Sequence, residues 1–180
     1  ATLFRSHRHV APHLPEFLDR YPEVEVQLLV NDRVVDLVDE GIDLAIRIAQ
    51  LKDSSLIARK LAVNHRMLVA SPDYLAKHDA PEAPAQLRDH RVSAVTGLMP
   101  GHEWRYLADG RTRTVGITPR LEINDALAAL AAAEAGEGIT PALSYMTSDA
   151  LAAGRLLPVL EDWAPAAVPV HLVHQQGRLV

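Results

Sequence analysis

Cysteine is absent from the 180 residues. That excludes a disulfide framework, thiol catalysis and thiolate metal sites. Aromatic residues make up only 4%, so the core must be aliphatic. No long apolar run is present. The longest, Ala126 to Ala133, is far short of the roughly 20 residues a bilayer crossing needs. Positive charge is not in excess: 18 Lys and Arg against 23 Asp and Glu give a net charge of −5. Nucleic-acid binding draws on Lys and Arg that neutralise phosphates, so these residues are a poor DNA-contacting surface. No repeat, low-complexity tract or Gly/Ser linker interrupts the chain. No basic segment followed by an apolar one opens it, so no signal peptide is visible.

What remains is an ordinary globular composition, 48% hydrophobic and 23% charged. Hydrophobicity is too high and net charge too low for a disordered chain. A chain of this length removes roughly 70% of its unfolded surface from water and needs no staples. The ends read as cut from a longer protein. Ala1-Thr2-Leu3-Phe4 resembles the end of a strand, and Val168 to His174 is a strand with nothing after it.

Periodicity gives an alternating α/β order. Val10, Leu14, Phe17 and Leu18 have helical spacing, ended by Tyr21-Pro22. Val24 to Val30 reads as a strand. Asn31 or Asp32 caps a helix expected to bury Val34, Val35, Leu37 and Val38, with Gly41 just past its end. Asp43 to Ala49 is an almost continuous apolar strand, the signature of a parallel sheet covered on both faces. Together these predict a βαβαβ unit with right-handed crossovers.

Two strands, Leu56 to Ala62 and His65 to Ala70, precede the helix start Ser71-Pro72-Asp73. Arg91 to Thr96 is a strand. Asp109-Gly110 joins Trp104 to Leu107 with Arg111 to Ile117 as a hairpin. Leu121 to Ile123 is a short strand, and Asn124-Asp125 caps a long Ala/Leu helix ending near Gly136. Ile139 to Leu143 is a strand, and Ser144 or Ser148 starts a helix that stops at Gly154. Leu156 to Leu160 and Val168 to His174 close the chain as strands.

Candidate chemistry is sparse. His9 and His13 have the i,i+4 spacing of a zinc pair, with His7 beside them, but no third ligand or zincin Glu accompanies them. Surface histidines are the default reading, and no metal or cofactor is expected. Gly136-Glu137-Gly138 is a Gly-x-Gly, yet it closes a helix and precedes a strand, the reverse of a dinucleotide fingerprint. A helix cap and a tight turn explain it. Asp36, Asp39 and Glu40 read as a solvated helix face. Arg47 lies inside an apolar strand near its carboxyl end, where open α/β sheets place ligands. It either holds a ligand carboxylate bidentately or pairs with a local acid. Thr2, Asn31 and Asn124 each stand at a strand-to-helix junction, where free helix N–H groups favour a small anion; plain capping is compatible with this.

The order of motifs resembles the effector-binding domain of LysR-type transcriptional regulators. The matching segments are Leu14-Pro15-Glu16-Phe17-Leu18, Tyr21-Pro22-Glu23-Val24, Asp36 to Ile48, Asp53-Ser54-Ser55-Leu56 and Ala70 to Leu75. They continue through Pro81/Pro84, Leu87 and His90, Asn124-Asp125, Ala135 to Ile139, Pro141, Gly154-Arg155-Leu156 and the last strand. The resemblance implies a fold like the type II periplasmic binding proteins: two α/β subdomains joined by two crossover strands, with a cleft between them. Subdomain I would be residues 1–70 plus 146–180, and subdomain II residues 71–145.

It further implies a small-molecule effector in the cleft, near Thr2, Asn31, Arg47, Ile48, Thr96, Gly97 and Asn124. It implies self-association as a dimer or tetramer through His9 to Arg20, Glu23 to Val30 and Asp125 to Ala135. DNA contact would be made only by a winged helix-turn-helix absent from these residues, in a cytoplasmic protein that touches no membrane and is not an enzyme. The competing readings are a solute-binding protein of a transporter with the same fold, and an enzyme on this fold. The second would require converging acid/base groups that the sequence does not assemble.

Overall fold

The computed structural model describes residues 9–30, 36–51 and 56–175. The chain divides into two compact units, Ala1–Val35 and Asp36–Val180. In the first, a 3₁₀ turn over Ala11–His13 leads into α1, Leu14–Arg20. Pro12 and Pro15 occupy first-turn positions, where a missing N–H costs nothing. The helix ends as expected: Tyr21 N–H donates to Phe17 O at 3.0 Å. Val10, Leu14 and Leu18 form a half-buried stripe. Residues Val24 to Val30 form no ladder among the described residues, contrary to the strand their alternation predicts. A strand needs a partner's backbone as well as a pattern, and among the described residues none is hydrogen-bonded to this segment.

The helix expected after Asn31 lies mostly outside the described residues, as do Asp32, Val34, Val35 and the segment Asp53-Ser54-Ser55. Its end is present. Gly41 has φ +63°. Ile42 N–H donates to Leu37 O at 2.9 Å and Gly41 N–H to Val38 O at 3.2 Å. These are the two bonds of a Schellman cap, with glycine at the left-handed position. Leu37 is buried, but Val38 is exposed rather than buried as expected. Asp36 is also more than a solvated acid. Its Oδ1 accepts from the N–H groups of Val38 (2.8 Å) and Asp39 (3.3 Å).

Among the described residues of the larger unit the strands are β1 Leu44–Ile48, β2 Ile57–Asn64, β3 Arg66–Ala70, β4 Ser93–Val95, β5 Glu103–Ala108, β6 Arg111–Gly116, β7 Leu121–Ile123, β8 Thr140–Leu143, β9 Leu157–Val159 and β10 Val168–His174. Helices α2 (Pro72–His78), α3 (Ala126–Glu134) and α4 (Ser144–Ala152) lie between them. Sheet orders are β1-β10-β2, β8-β3-β9, β4-β7 and β5-β6.

One pairing corrects the sequence reading. β1 is antiparallel to β10, with Arg47 opposite His171, and β10 is antiparallel to β2. The antiparallel β10 is therefore the neighbour of β1 among the described residues, and the parallel partners expected for it fall before residue 36. An apolar run fits either direction, and the last strand of the chain takes the central place. Of residues 146–180, β10 lies in this sheet, whereas β9 is hydrogen-bonded to β3.

Local chemistry explains the other elements. Ser71 Oγ accepts from Tyr74 N–H at 3.3 Å and caps α2. Asp109 and Gly110 have φ +52° and +70°, the type I′ geometry that fits a two-residue hairpin. α3 buries Ala126, Ala129, Leu130 and Ala133, one stripe at i, i+3, i+4 and i+7. Gly136 ends it with the same two capping bonds, Glu137 N–H to Ala132 O and Gly136 N–H to Ala133 O, both 3.0 Å. The core gathers Leu68, Tyr74, Leu87, Val92, Met99, Trp104 and Ile139 beneath β3, β4 and β8. Each such side chain contributes about 1.5–3 kcal/mol on burial.

Candidate functional site

β4 and β7 pair in parallel, in register from Ser93 opposite Leu121 to Val95 opposite Ile123. Thr96 N–H donates to Ile123 O at 3.1 Å, so the pairing runs one bond past the strands. Thr96, Gly97 and Asn124 therefore meet at the carboxyl edge of this pair. All three are exposed. No atom lies within 4 Å of where a Cβ on Gly97 would stand, so the edge is open there. Immediately beyond Asn124, Asp125 Oδ1 accepts from Ala128 N–H at 2.7 Å and starts α3. The cap is thus Asp125, which leaves the Asn124 amide available.

The carboxyl edge of parallel strands beside a helix N-terminus is where α/β sheets collect ligands. It offers hydroxyl and amide hydrogen bonds and positive potential. No general acid or base stands among these three residues. Arg47 and Ile48 end β1, half-buried, on a different sheet. Thr2 and Asn31 lie outside the described residues.

The histidines are dispersed. His102 Nε2 lies 3.3 Å from Glu122 Oε1 on the exposed surface. His90 Nδ1 pairs with Tyr74 Oη at 3.0 Å. The same Oη accepts from Arg91 N–H at 3.0 Å, and the Arg91 guanidinium stacks over the Tyr74 ring at 5.2 Å. Burial, then the nearby His78, lowers the His90 pKa, while Asp89 and Asp79 act in the opposite sense. His7 lies outside the described residues. Among the described residues no group of three His, Asp or Glu stands in metal-holding geometry.

The Gly-x-Gly is structural. Gly136 is the helix cap described above. Gly138 has φ +150°, and a Cβ there would stand 2.2 Å from Arg91 O. Sequence reasoning missed a concavity of about 290 Å³ that includes Arg66, Trp104 and Ser144. Nothing local marks those residues, because they come from separate strands and a helix.

The LysR substrate binding domain family matches residues 5–180, so the chain belongs to that family. An HTH-type transcriptional repressor of Pseudomonas aeruginosa is 35% identical over 94% of this chain and 54% of its own length. An uncharacterised HTH-type transcriptional regulator of Haemophilus influenzae is 30% identical over 94% of this chain and 59% of its own. The regulatory domain of AphB from Vibrio vulnificus superposes with a TM-score of 0.82 at 27% identity, covering 97% of this chain and 88% of that one. The fold is therefore the type II periplasmic-binding-protein-like α/β fold of LysR regulatory domains. The chain spans between about half and three-fifths of the length of these curated relatives. Among the described residues, no helix is long and apolar enough to cross a membrane.

Proposed function

We propose that this chain is the effector-sensing part of a cytoplasmic, DNA-binding transcriptional regulator and is not an enzyme. It binds a small anionic or polar metabolite at the carboxyl edge formed by Thr96, Gly97 and Asn124 of subdomain II, with Arg47 and Ile48 contributing from subdomain I. The observation that carries this reading is that family-implied contacts from two separate stretches, Thr96-Gly97 and Asn124, meet at one open strand edge. The curated relatives are regulators rather than transport proteins, which argues against the solute-binding alternative. Subdomain I is drawn from both ends of the chain, with residues 1–70 plus 146–180 expected for it and residues 71–145 for subdomain II. β3 and β9 share one sheet with β8, which supports giving both to subdomain II and drawing the return to subdomain I after β9.

Effector binding then shifts the population of oligomer arrangements by its differential affinity for them. DNA contact falls to a domain outside these residues, in keeping with the net charge of −5. Exposed Phe17, Tyr21, Val24, Val26, Leu28 and Leu29, with Leu127 on α3, supply apolar surface for a dimer or tetramer.

The test is a thermal-shift screen of the chain against small organic acids, aromatic metabolites and amino acids. A ligand at 100 times its dissociation constant adds about 2.7 kcal/mol. A specific stabilisation that Thr96→Val and Asn124→Ala abolish supports the reading. Stabilisation indifferent to both changes refutes this location.

A further inference from the structure

The β8-β3-β9 sheet carries a second concavity, the one of about 290 Å³, which the effector reading leaves unused. Three joints of the chain build it. β2 passes into β3 through the single residue His65, α4 begins directly after β8 at Ser144, and the segment Leu160 to Ala164 leaves β9. The first two joints are pinned together. His65 N–H donates to Ser144 Oγ at 3.2 Å, Ser144 N–H donates to His65 O at 2.9 Å, and Ser144 Oγ donates to Asn64 Oδ1 at 2.9 Å. The walls between these polar points are apolar: Met67, Leu68, Val159 and Leu160.

Among the described residues, two groups on its lining side chains have no partner. Arg66 is half-buried and lines the cavity. Among the described residues no carboxylate reaches it within ion-pair distance. Glu161, also in the lining, is exposed and pairs with neither Arg66 nor its neighbour Arg105. Burial, and then the Arg105 guanidinium, lower the Arg66 pKa, the response of a cation short of counter-charge. Trp104 is 3% exposed, and its Nε1–H is buried without an acceptor. A buried donor without a partner is destabilising until an acceptor meets it. An anion with an apolar body answers both groups at once.

We propose that this cavity is a second ligand site, for a small organic monocarboxylate. The carboxylate pairs with Arg66 and accepts from Trp104 Nε1–H, and the apolar body lies against Leu68, Val159 and Leu160. The volume is at the low end for ligand pockets, which selects small acids over nucleotides. The site lies where the chain passes from the β1-β10-β2 sheet to the β8-β3-β9 sheet. An occupant therefore ties the β2–β3 joint to the segment leading toward β10. The proposal does not depend on the effector reading, because it uses none of the same residues.

Calorimetric titration of the chain with benzoate, phenylacetate and hexanoate, each beside its neutral amide, tests it. At least one carboxylate is expected to bind, with its amide weaker by about tenfold or more. Arg66→Gln is expected to weaken the acid by a similar factor, and Trp104→Phe, which removes only the N–H, by severalfold. Circular dichroism confirms that each variant folds. If Arg66→Gln does not fold, the acid–amide comparison on the unaltered chain and Trp104→Phe still decide. Three results overturn the proposal: no heat from any of the acids at about 10 mM, equal binding of acid and amide, or loss of binding in Asn124→Ala while Arg66→Gln leaves it intact.

Discussion

Gly138→Ala is the sharpest test of how this chain is held together. Gly138 precedes the point where the chain pairs with the start of the strand beside it. Ile139 N–H donates to Arg91 O, and Ser93 N–H donates to Ile139 O, both at 2.9 Å. Those bonds bring Ile139 against Val92 in the core, each 1% exposed or less. A methyl group at 138 would stand 2.2 Å from Arg91 O and 2.9 Å from both Arg91 C and Cβ. The first obstacle is backbone, which cannot rotate away, and φ +150° is a conformation side-chain-bearing residues rarely take. The torsional strain alone is worth about 1–3 kcal/mol. Forcing the two segments apart adds the partial loss of two hydrogen bonds, about 1 kcal/mol each. A loss of roughly 3 kcal/mol or more follows, or about 6–12 °C in Tm for a chain of this size. Gly136→Asn is the control. At φ +87° a Cβ meets only Ser71 Oγ, at 3.9 Å, and asparagine tolerates the left-handed region, so the cost stays under about 1 kcal/mol. Urea unfolding followed by circular dichroism measures both. If Gly138→Ala unfolds within about 1 kcal/mol of the unaltered chain by linear extrapolation in urea, the account of this crossing is wrong.

Three further outcomes are expected. Asp125→Ala removes the acceptor for Ala128 N–H and destabilises α3 by about 1 kcal/mol in denaturant titration, whereas Asn124→Ala leaves stability nearly unchanged and reduces effector affinity. Arg47→Ala weakens effector binding by more than about 1 kcal/mol by calorimetry if it meets a carboxylate; equal affinity removes it from the site. The folded-state pKa of His90 lies below its ordinary value near 6.5, so the unfolded chain binds the extra proton first. Stability is complete above that value and falls as pH drops below it. His90→Gln, which removes the titrating ring, flattens this dependence, and an unchanged pH–Tm profile would contradict the assignment.

Much of this molecule is written locally. Ser71 and Asp125 cap helices because a short side-chain oxygen reaches an N–H three residues on. Gly41, Gly136 and Gly154 end helical turns because the left-handed position favours a residue without a Cβ. Asp109-Gly110 makes its hairpin for the same reason. Each depends on residues within a few positions, so the sequence by itself determined them, as the ordered motifs determined the family. Pairing over distance is different. The apolar run of β1 suits a parallel or an antiparallel neighbour equally, and only the folded chain puts β10 between β1 and β2. The alternation of Val24 to Val30 gives a strand's pattern without supplying the partner a strand requires. Thr96 and Asn124 become one edge because β4 and β7 are parallel and in register. Arg66 and Trp104 share a cavity because β3 and β5 bring them to it. Such neighbours are chosen by the packing of whole sheets, in which segments tens of residues apart bury their apolar faces together, and no short stretch of sequence encodes that choice.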